Sequence, residues 1–224
     1  MPHAVDQHGQ MAGVSTTSDT GEQSDRLAIR DLLDNWAMWR DTGQAERLAT
    51  LFHDDGWMIT TWQRGPARNF VEASRQPWRQ GLISIHMTGA ATIAIRGNRA
   101  VAQSRMSIFQ RAPLDGIEVD VTCYGRFWDA LEKREGRWGF VLRHPIYDVD
   151  RIAPVEPSQV LTLDSDLLNA FPIGYRHLAY LQTRQGRSID TGLPGGDGPA
   201  LDALLAREEP WLAGAPREYL GLPD

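Results

Sequence analysis

The chain has 224 residues, a formal net charge of −6 at pH 7 and 42% hydrophobic residues, which suits one domain with attached segments or two small domains. The acidic balance, without a block of Lys or Arg, argues against nucleic acid and anionic membrane surfaces as partners. A single cysteine, no apolar run near the roughly 20 residues of a membrane span and no signal-peptide pattern lead us to expect a cytoplasmic protein without disulfides or a cysteine-based metal cluster.

Helical patterns come first in the chain. Residues 1–23 are polar and small, which predicts a disordered arm. The next segment, SDRLAIRDLLDNWAMWRDTG, has apolar residues at helical spacing, among them Leu27, Leu33 and Trp36. Ser24 is the expected N-cap of this helix and Gly43 its stop signal. A second, shorter helix is predicted over QAERLATLFH, residues 44–53.

Strand patterns dominate the middle of the chain. GWMITTW is rich in β-forming residues and follows a turn signal at 54–56, and a short helix over 69–78 is predicted to end near Pro77. Four long β-type runs follow, separated by turn-forming residues at 97–98, 113–116 and 135–136. Helices followed by an antiparallel meander predict an α+β fold, with one curved, mostly antiparallel sheet wrapped around the N-terminal helices.

The chain changes character after Pro154. Residues 163–186 predict one or two helices broken at Pro172, and GLPGGDGPALDALL predicts a Gly/Pro loop and another short helix. Because so few residues rarely form an independent domain, we expect 153–224 to be a helical extension. It should pack on the main body or on a neighbouring subunit.

Asp41 and His86 are the strongest candidates for chemistry. Asp41 closes the first predicted helix, and His86 lies in the middle of LISIHMTGA, a strand expected on the concave side of the sheet. A carboxylate bonded to one ring nitrogen fixes the tautomer and raises the basicity of the other nitrogen, which provides a general base near neutral pH. The alternative is structural: Asp41 caps the helix, and His86 is a hydrogen-bonded core residue.

Three stretches of the chain resemble a known family: NWAMWRDTGQAERLATLFHDDGWMIT, IHMTGA and EGRWGFVLRHPIY. They are similar to the SnoaL-like branch of the NTF2-like superfamily, most of all to its scytalone dehydratase and hexachlorocyclohexane dehydrochlorinase type. The likeness spans about residues 24–152. It implies an NTF2-like cone with a pocket in its mouth, and elimination without a cofactor by an aspartate and a histidine that match Asp41 and His86.

The chain departs from the scytalone dehydratase pattern at four positions. Arg40 replaces the tyrosine before the aspartate, and Thr60 falls at or near the tyrosine of the first strand. Gln110 replaces a second histidine, and Gly125 aligns with an asparagine. We therefore do not expect this chain to catalyse the dehydration of scytalone itself. The dehydrochlorinase type also uses a basic residue, for which the candidates here are Arg40, Arg105 and Arg126.

The expected substrate-binding residues come from inward strand positions, aromatic walls and the C-terminal tail. They are Arg40, Trp39, Thr60, Trp62, Met106, Ile108, Gln110, Cys123, Phe127, His144, Tyr147 and His177. His144 has the alternative of a polar strand-end residue, and His177 that of an ordinary interface residue. The histidines lack metal-site spacing and no dinucleotide or phosphate loop is present, so no metal and no cofactor is expected.

These features together predict a cofactor-independent lyase for a hydrophobic, aromatic small molecule. It would remove water or, by retro-aldol chemistry, a one-carbon fragment, with His86 as the base and an arginine or tyrosine assisting the departing oxygen. One alternative is an isomerase that uses the same base. Another is a non-catalytic binding or accessory subunit, like the β subunit of ring-hydroxylating dioxygenases. Self-association as a dimer or trimer is expected, because sheets of this family usually bury their outer face.

Overall fold

A computed structural model describes residues 16–75 and 82–223 of the chain. The helices are α1 (Thr16–Asp41), α2 (Ala45–Ala49), α3 (Ala67–Ala73), α4 (Ser165–Asn169), α5 (Arg176–Arg184), α6 (Pro199–Leu205) and α7 (Glu208–Leu212), with a 3-10 turn at Arg217–Leu220. The strands are β1 (Phe52–Ile59), β2 (Arg64–Pro66), β3 (Ile83–Arg96), β4 (Arg99–Leu114), β5 (Ile117–Arg134) and β6 (Arg137–Pro154).

The six described strands form one curved sheet in the order β2-β1-β6-β5-β4-β3. Strands β3 to β6 form the predicted antiparallel meander, whereas β1 pairs in parallel with β6. The hairpin turns contain residues with positive φ, including Asp115 at 50° and Glu135 at 51°, each followed by a glycine, which suits tight two-residue hairpins. The predicted α+β architecture and its hairpins are confirmed.

Helix α1 lies across the sheet and buries one stripe of its surface. Ile29, Leu33 and Trp36 are fully or almost fully buried, at the spacing of one helix face. Leu27 was expected on this stripe but is 67% exposed. The helix begins at Thr16, eight residues before the predicted Ser24, so residues 16–23 of the predicted arm are helical, and residues 1–15 lie outside the described part. It stops as expected at Asp41, two residues before Gly43.

The first strand differs from its prediction. The expected turn at 54–56 lies inside β1, where the pairing with β6 is irregular between Phe52 and Trp57. A Cβ atom at Gly56 would come within 2.8 Å of the His53 carbonyl oxygen and 2.9 Å of the Phe140 carbonyl oxygen, so this bulge requires glycine. The third predicted helix, over 69–78, is observed at Ala67–Ala73 with Ser74 as its C-cap, so it ends before the predicted Pro77, which itself lies outside the described residues.

The C-terminal extension packs on the same chain. Helices α4 and α5 are interrupted around Pro172 as predicted, and the Cys123 Sγ lies 3.8 Å from the Gly174 carbonyl oxygen, just before α5. Farther along, the Trp211 indole N–H donates to the Ala100 carbonyl at 3.2 Å and so attaches α7 to β4. Within the described residues, none of the helices has the length and apolar character needed to cross a membrane.

Candidate active site

Asp41 and His86 meet where the end of α1 crosses β3. Arg26 and Arg30 of α1 donate to β3 carbonyl oxygens, at Ile93 and Gly89, at 2.8 Å each, which fixes the helix along this strand. Alternation along β3 turns His86 toward the inner face, where its neighbour on β4 is Ile108. The helix end therefore presents the Asp41 carboxylate directly to the His86 side chain.

The Asp41 carboxylate accepts hydrogen bonds from both the ring and the backbone of His86. The distance from Asp41 Oδ1 to His86 Nδ1 is 2.8 Å, and the His86 backbone N–H donates to Oδ2 at 2.5 Å. Arg40 adds a third hydrogen bond, from Nη1 to Oδ1, at 3.0 Å. With Nδ1 bonded to a carboxylate, the neutral ring carries its proton on Nδ1 and leaves the Nε2 lone pair available.

Burial and nearby charges keep His86 neutral and Asp41 ionised. Burial lowers the pKa of His86, and the positive charges of Arg40 and Arg143 lower it further, against the opposing effect of Asp41. Burial alone would raise the pKa of Asp41, but its hydrogen bond and charge interaction with His86, together with the Arg40 charge, lower it overall. The pair at neutral pH is therefore a carboxylate and an uncharged imidazole.

A cavity of about 30 Å³ adjoins His86 on the inner face of the sheet. Its walls combine aromatic, aliphatic and amide side chains. They are Trp36, Arg40, Met58, Ile59, Thr60, Thr61, Trp62, Phe70, His86, Ile108, Gln110, Phe127, Tyr147, Leu178 and Gln182. An apolar cavity of roughly 150 Å³ holds benzene, so an aromatic ligand here requires the walls to move.

Seven of the twelve predicted substrate-binding residues line this cavity. They are Arg40, Thr60, Trp62, Ile108, Gln110, Phe127 and Tyr147. Arg40 is also the arginine that faces the pair, whereas Arg105 and Arg126 lie on the outer face and both bind Asp148.

The other five lie outside the cavity. Trp39 faces α2, with its ring 6.0 Å from the Arg47 guanidinium, and Met106 is one inward position beyond Ile108 along β4. Cys123 is covered by the segment leading into α5. His144 lies on the opposite side of β6 from Arg143, with Nδ1 2.9 Å from the Pro145 carbonyl oxygen, and His177 is engaged by Asp150. His144 is turned away because neighbouring residues of β6 face opposite sides of the sheet. Cys123 and His177 are outside the cavity because of the way α5 packs on the sheet.

The Asp150–His177 pair repeats the bonding of the candidate site at another place. Asp150 is fully buried and binds His177 Nδ1 at 2.8 Å and the backbone N–H groups of His177 and Leu178 at 2.7 and 2.8 Å. These bonds satisfy the first amides of α5 and hold that helix on β6. Leu178 and Gln182 of α5 line the cavity, so the Asp150–His177 pair positions one cavity wall by holding this helix in place.

Arg143 is a candidate functional residue that the sequence did not reveal. Its side chain is fully buried, 3.4 Å from Asp129, and its guanidinium carbon lies 4.4 Å from the Trp36 ring centre and 3.9 Å from that of Phe127. Both rings also line the cavity. Burial lowers the pKa of Arg143 to about 10 and raises that of Asp129 to about 7, each shift partly offset by the charge of the other. A cation therefore lies directly behind the aromatic wall.

Trp36, Leu178 and Gln182 also line the cavity and are not among the predicted substrate-binding residues. The sequence predicts that the C-terminal tail reaches the cavity through His177, whereas the structure brings Leu178 and Gln182 of the same helix there instead. Within 16–75 and 82–223, no group of three or more His, Cys, Asp or Glu side chains has the arrangement of a metal site.

Comparisons with known proteins identify the family and the fold. The model of the SnoaL-like domain matches residues 21–144. Pea pathogenicity protein 2 of Fusarium vanettenii is 35% identical over 175 residues, which cover 76% of this chain and 75% of that protein. A PEP2-like protein of the same fungus is 33% identical over 201 residues, covering 85% and 86%. The solved structure of a type 2 hexachlorocyclohexane dehydrochlorinase (LinA) has a TM-score of 0.51 at 17% identity, covering 66% of this chain and 99% of its own.

Proposed function

The chain belongs to the SnoaL-like domain family, and from that premise we propose that it is a cofactor-independent lyase whose Asp41–His86 pair removes a proton from a small aromatic molecule. The predicted resemblance and the NTF2-like cone are confirmed by the family match and by the likeness in fold. The family and the fold do not by themselves give an activity, because one fold supports many functions. The proposed activity is therefore argued from the side chains of this chain's own cavity.

The observation that carries the proposal is the carboxylate-bound imidazole on the cavity wall. Asp41 fixes His86 through the ring and the backbone at once, and His86 adjoins the cavity. The ring of Trp36 meets that of His86 edge-on at 5.4 Å, which further restricts its orientation. A base held in one tautomer, neutral at pH 7 and enclosed by apolar walls is suited to proton abstraction.

Loss of water is the default reaction. His86 Nε2 takes the proton from the carbon next to a hydroxyl-bearing carbon, and that C–H electron pair becomes the new double bond as the C–O bond breaks. The imidazolium then gives its proton to the departing oxygen, which leaves as water. In the retro-aldol variant the base takes the proton of a hydroxymethyl group, and the O–H electron pair becomes part of the C=O bond of the departing formaldehyde. The electron pair of the broken C–C bond stays on the remaining carbon, which then takes the proton back from the imidazolium.

Arg40 is the donor placed to assist the departing oxygen. Its Nε is buried without a hydrogen-bond partner among the described residues, while Nη1 is used by Asp41. A buried guanidinium N–H without a partner stabilises negative charge on a nearby oxygen. This assigns the assisting role to Arg40 rather than to a tyrosine.

Mass measurement on a panel of hydroxylated aromatic compounds tests the proposal. A lyase gives products lighter by one water, or by one formaldehyde for the retro-aldol route, whereas an isomerase leaves the mass unchanged. Asp41→Asn and His86→Gln should each reduce turnover by about a hundredfold or more. Asp25→Asn is the matched control, because Asp25 is a hydrogen-bonded carboxylate on the same helix, far along α1 from Asp41. Undiminished turnover in His86→Gln would contradict the mechanism, and no product from any compound would favour a binding or accessory role.

A row of exposed apolar side chains supports the proposal that the chain pairs with a second copy of itself. Met87, Tyr124 and Val149 are 64%, 50% and 55% exposed and lie in one row across the outer face, with Ser107 between Met87 and Tyr124. Opposite charges border this row on both sides, which allows two copies related by a twofold axis to complement each other. These are Arg111 with Asp120 on one side and Arg105 and Arg126 with Asp148 on the other.

A further inference from the structure

The C-terminal extension contributes an amide group to the cavity. Gln182 of α5 is only 3% exposed and lines the cavity, and its Oε1 accepts a hydrogen bond from the Thr61 hydroxyl at 2.5 Å. In this arrangement the Thr61 hydroxyl is the donor and Gln182 Oε1 the acceptor, so the amide N–H groups take no part in that hydrogen bond. With Oε1 bound to Thr61, we assign Nε2 as the group that Gln182 offers to a ligand in the cavity that it lines.

A second amide lies on β4, next to His86 on the inner face. Gln110 is 7% exposed, and its Nε2 is 3.4 Å from the Ser84 hydroxyl. Its Oε1 is buried and has no hydrogen-bond partner among the described residues. A buried acceptor without a partner is unfavourable, so its position on the cavity wall indicates that a ligand supplies the donor.

We propose that Gln110 and Gln182 together recognise a hydroxyl group on a neutral aromatic ligand. A hydroxyl donates one hydrogen bond, which Gln110 Oε1 accepts, and accepts others, which Gln182 Nε2 donates. The inference names the substrate class of the site in the proposed function and rests on that site being the ligand cavity. Gln182 is then a specificity-determining residue that lies beyond the part of the chain matched by the family model, residues 21–144.

The charges around the cavity favour a neutral ligand. Arg40 is 3.0 Å from Asp41, and Arg143 is 3.4 Å from Asp129 behind the wall. With His86 neutral, the Arg40 charge is compensated by the Asp41 carboxylate, and the Arg143 charge is compensated in part by Asp129, whose pKa is about 7. A ligand carboxylate would therefore enter a buried site whose nearest cations are compensated, at the full cost of its desolvation.

Three small probes of similar shape test the inference on the full-length chain. Phenol carries the hydroxyl, toluene replaces it with a methyl group and benzoate carries a negative charge. Binding is followed by the fluorescence of the cavity tryptophans, Trp36 and Trp62. Gln110→Met and Gln182→Met should each weaken phenol binding by about tenfold, as expected for one lost hydrogen bond, and change toluene binding by less than about threefold. Gln185→Leu, at the exposed end of the same helix, is the matched control.

A second measurement needs no substitution. In the wild-type chain, the side-chain amide resonances of both glutamines should shift more at saturation with phenol than at saturation with toluene, because only phenol forms hydrogen bonds with them. Equal weakening of phenol and toluene in the Gln182 variant, tighter binding of benzoate than of phenol, or absence of phenol binding would each overturn the inference. Its failure is separate from that of the proposed function, because Asp41→Asn and His86→Gln should abolish turnover while phenol selectivity is kept.

Discussion

Replacing Asp129 with asparagine tests the electrostatics behind the cavity wall. Burial raises the pKa of Asp129 to about 7 despite the charge of Arg143, from 3.8 for an unperturbed aspartate. A carboxyl group whose pKa is higher in the folded state destabilises folding as pH rises above the unfolded value, because only the unfolded chain then loses the proton. This penalty grows by about 1.4 kcal/mol per pH unit and reaches about 4 kcal/mol near pH 7.

Asparagine keeps the shape of the side chain and does not titrate. We therefore expect Asp129→Asn to match the wild type in stability near pH 4 and to exceed it by up to about 4 kcal/mol at pH 8. Both proteins retain the Arg143 charge, so the pH-dependent difference between them belongs to the Asp129 carboxyl.

Urea unfolding followed by tryptophan fluorescence at pH 4, 6 and 8 provides the measurement. Asp120→Asn is the matched control, since Asp120 lies on the same strand and binds Arg111 with two hydrogen bonds of 2.7 Å on the solvent side of the sheet. It should cost no more than about 1 kcal/mol. A loss of several kcal/mol for Asp129→Asn at pH 8 would show that the buried ion pair is a net stabiliser and would refute the reasoning.

Four further outcomes are expected. Asp41→Asn removes the charge that opposes the lowering of the His86 pKa, so the pKa of His86 measured by NMR should fall further; a rise would contradict the assigned pair. Gly56→Ala should lower the free energy of unfolding by about 1–3 kcal/mol, because the new Cβ meets two carbonyl oxygens; an unchanged urea midpoint would argue against the bulge. Burial lowers the pKa of His144 to about 4, so the wild type should lose about 3 kcal/mol as pH falls from 6.5 to 4, and His144→Gln should not show this loss. Met87→Glu should shift the chain toward a monomer in light scattering, whereas an unchanged mass would exclude this row as the contact.

Several features of the fold could be predicted because their causes are local. The hairpin turns depend on residues that tolerate positive φ, such as Asp115 and Glu135 followed by glycine, and these occur at the predicted places. The buried stripe of α1 follows from helical spacing, and its end follows from Gly43. Gly56 was misread for the opposite reason: a glycine in a bulge and a glycine in a turn have the same local signal, and only the approach of the β6 backbone distinguishes them.

The candidate site also combines features with local causes and features that depend on contacts between distant segments. The sequence by itself determined that an aspartate follows the first helix and a histidine lies in an inner strand, and the family resemblance paired them across 45 residues. Only the tertiary structure decided that Arg143, rather than His144, turns inward behind Trp36, because a strand alternates its faces and the register of β6 depends on its bulged pairing with two neighbours. It alone also decided that α5 returns over the sheet and brings Gln182 to the cavity. Contacts between distant segments depend on how whole elements pack, and no short stretch of sequence encodes that packing.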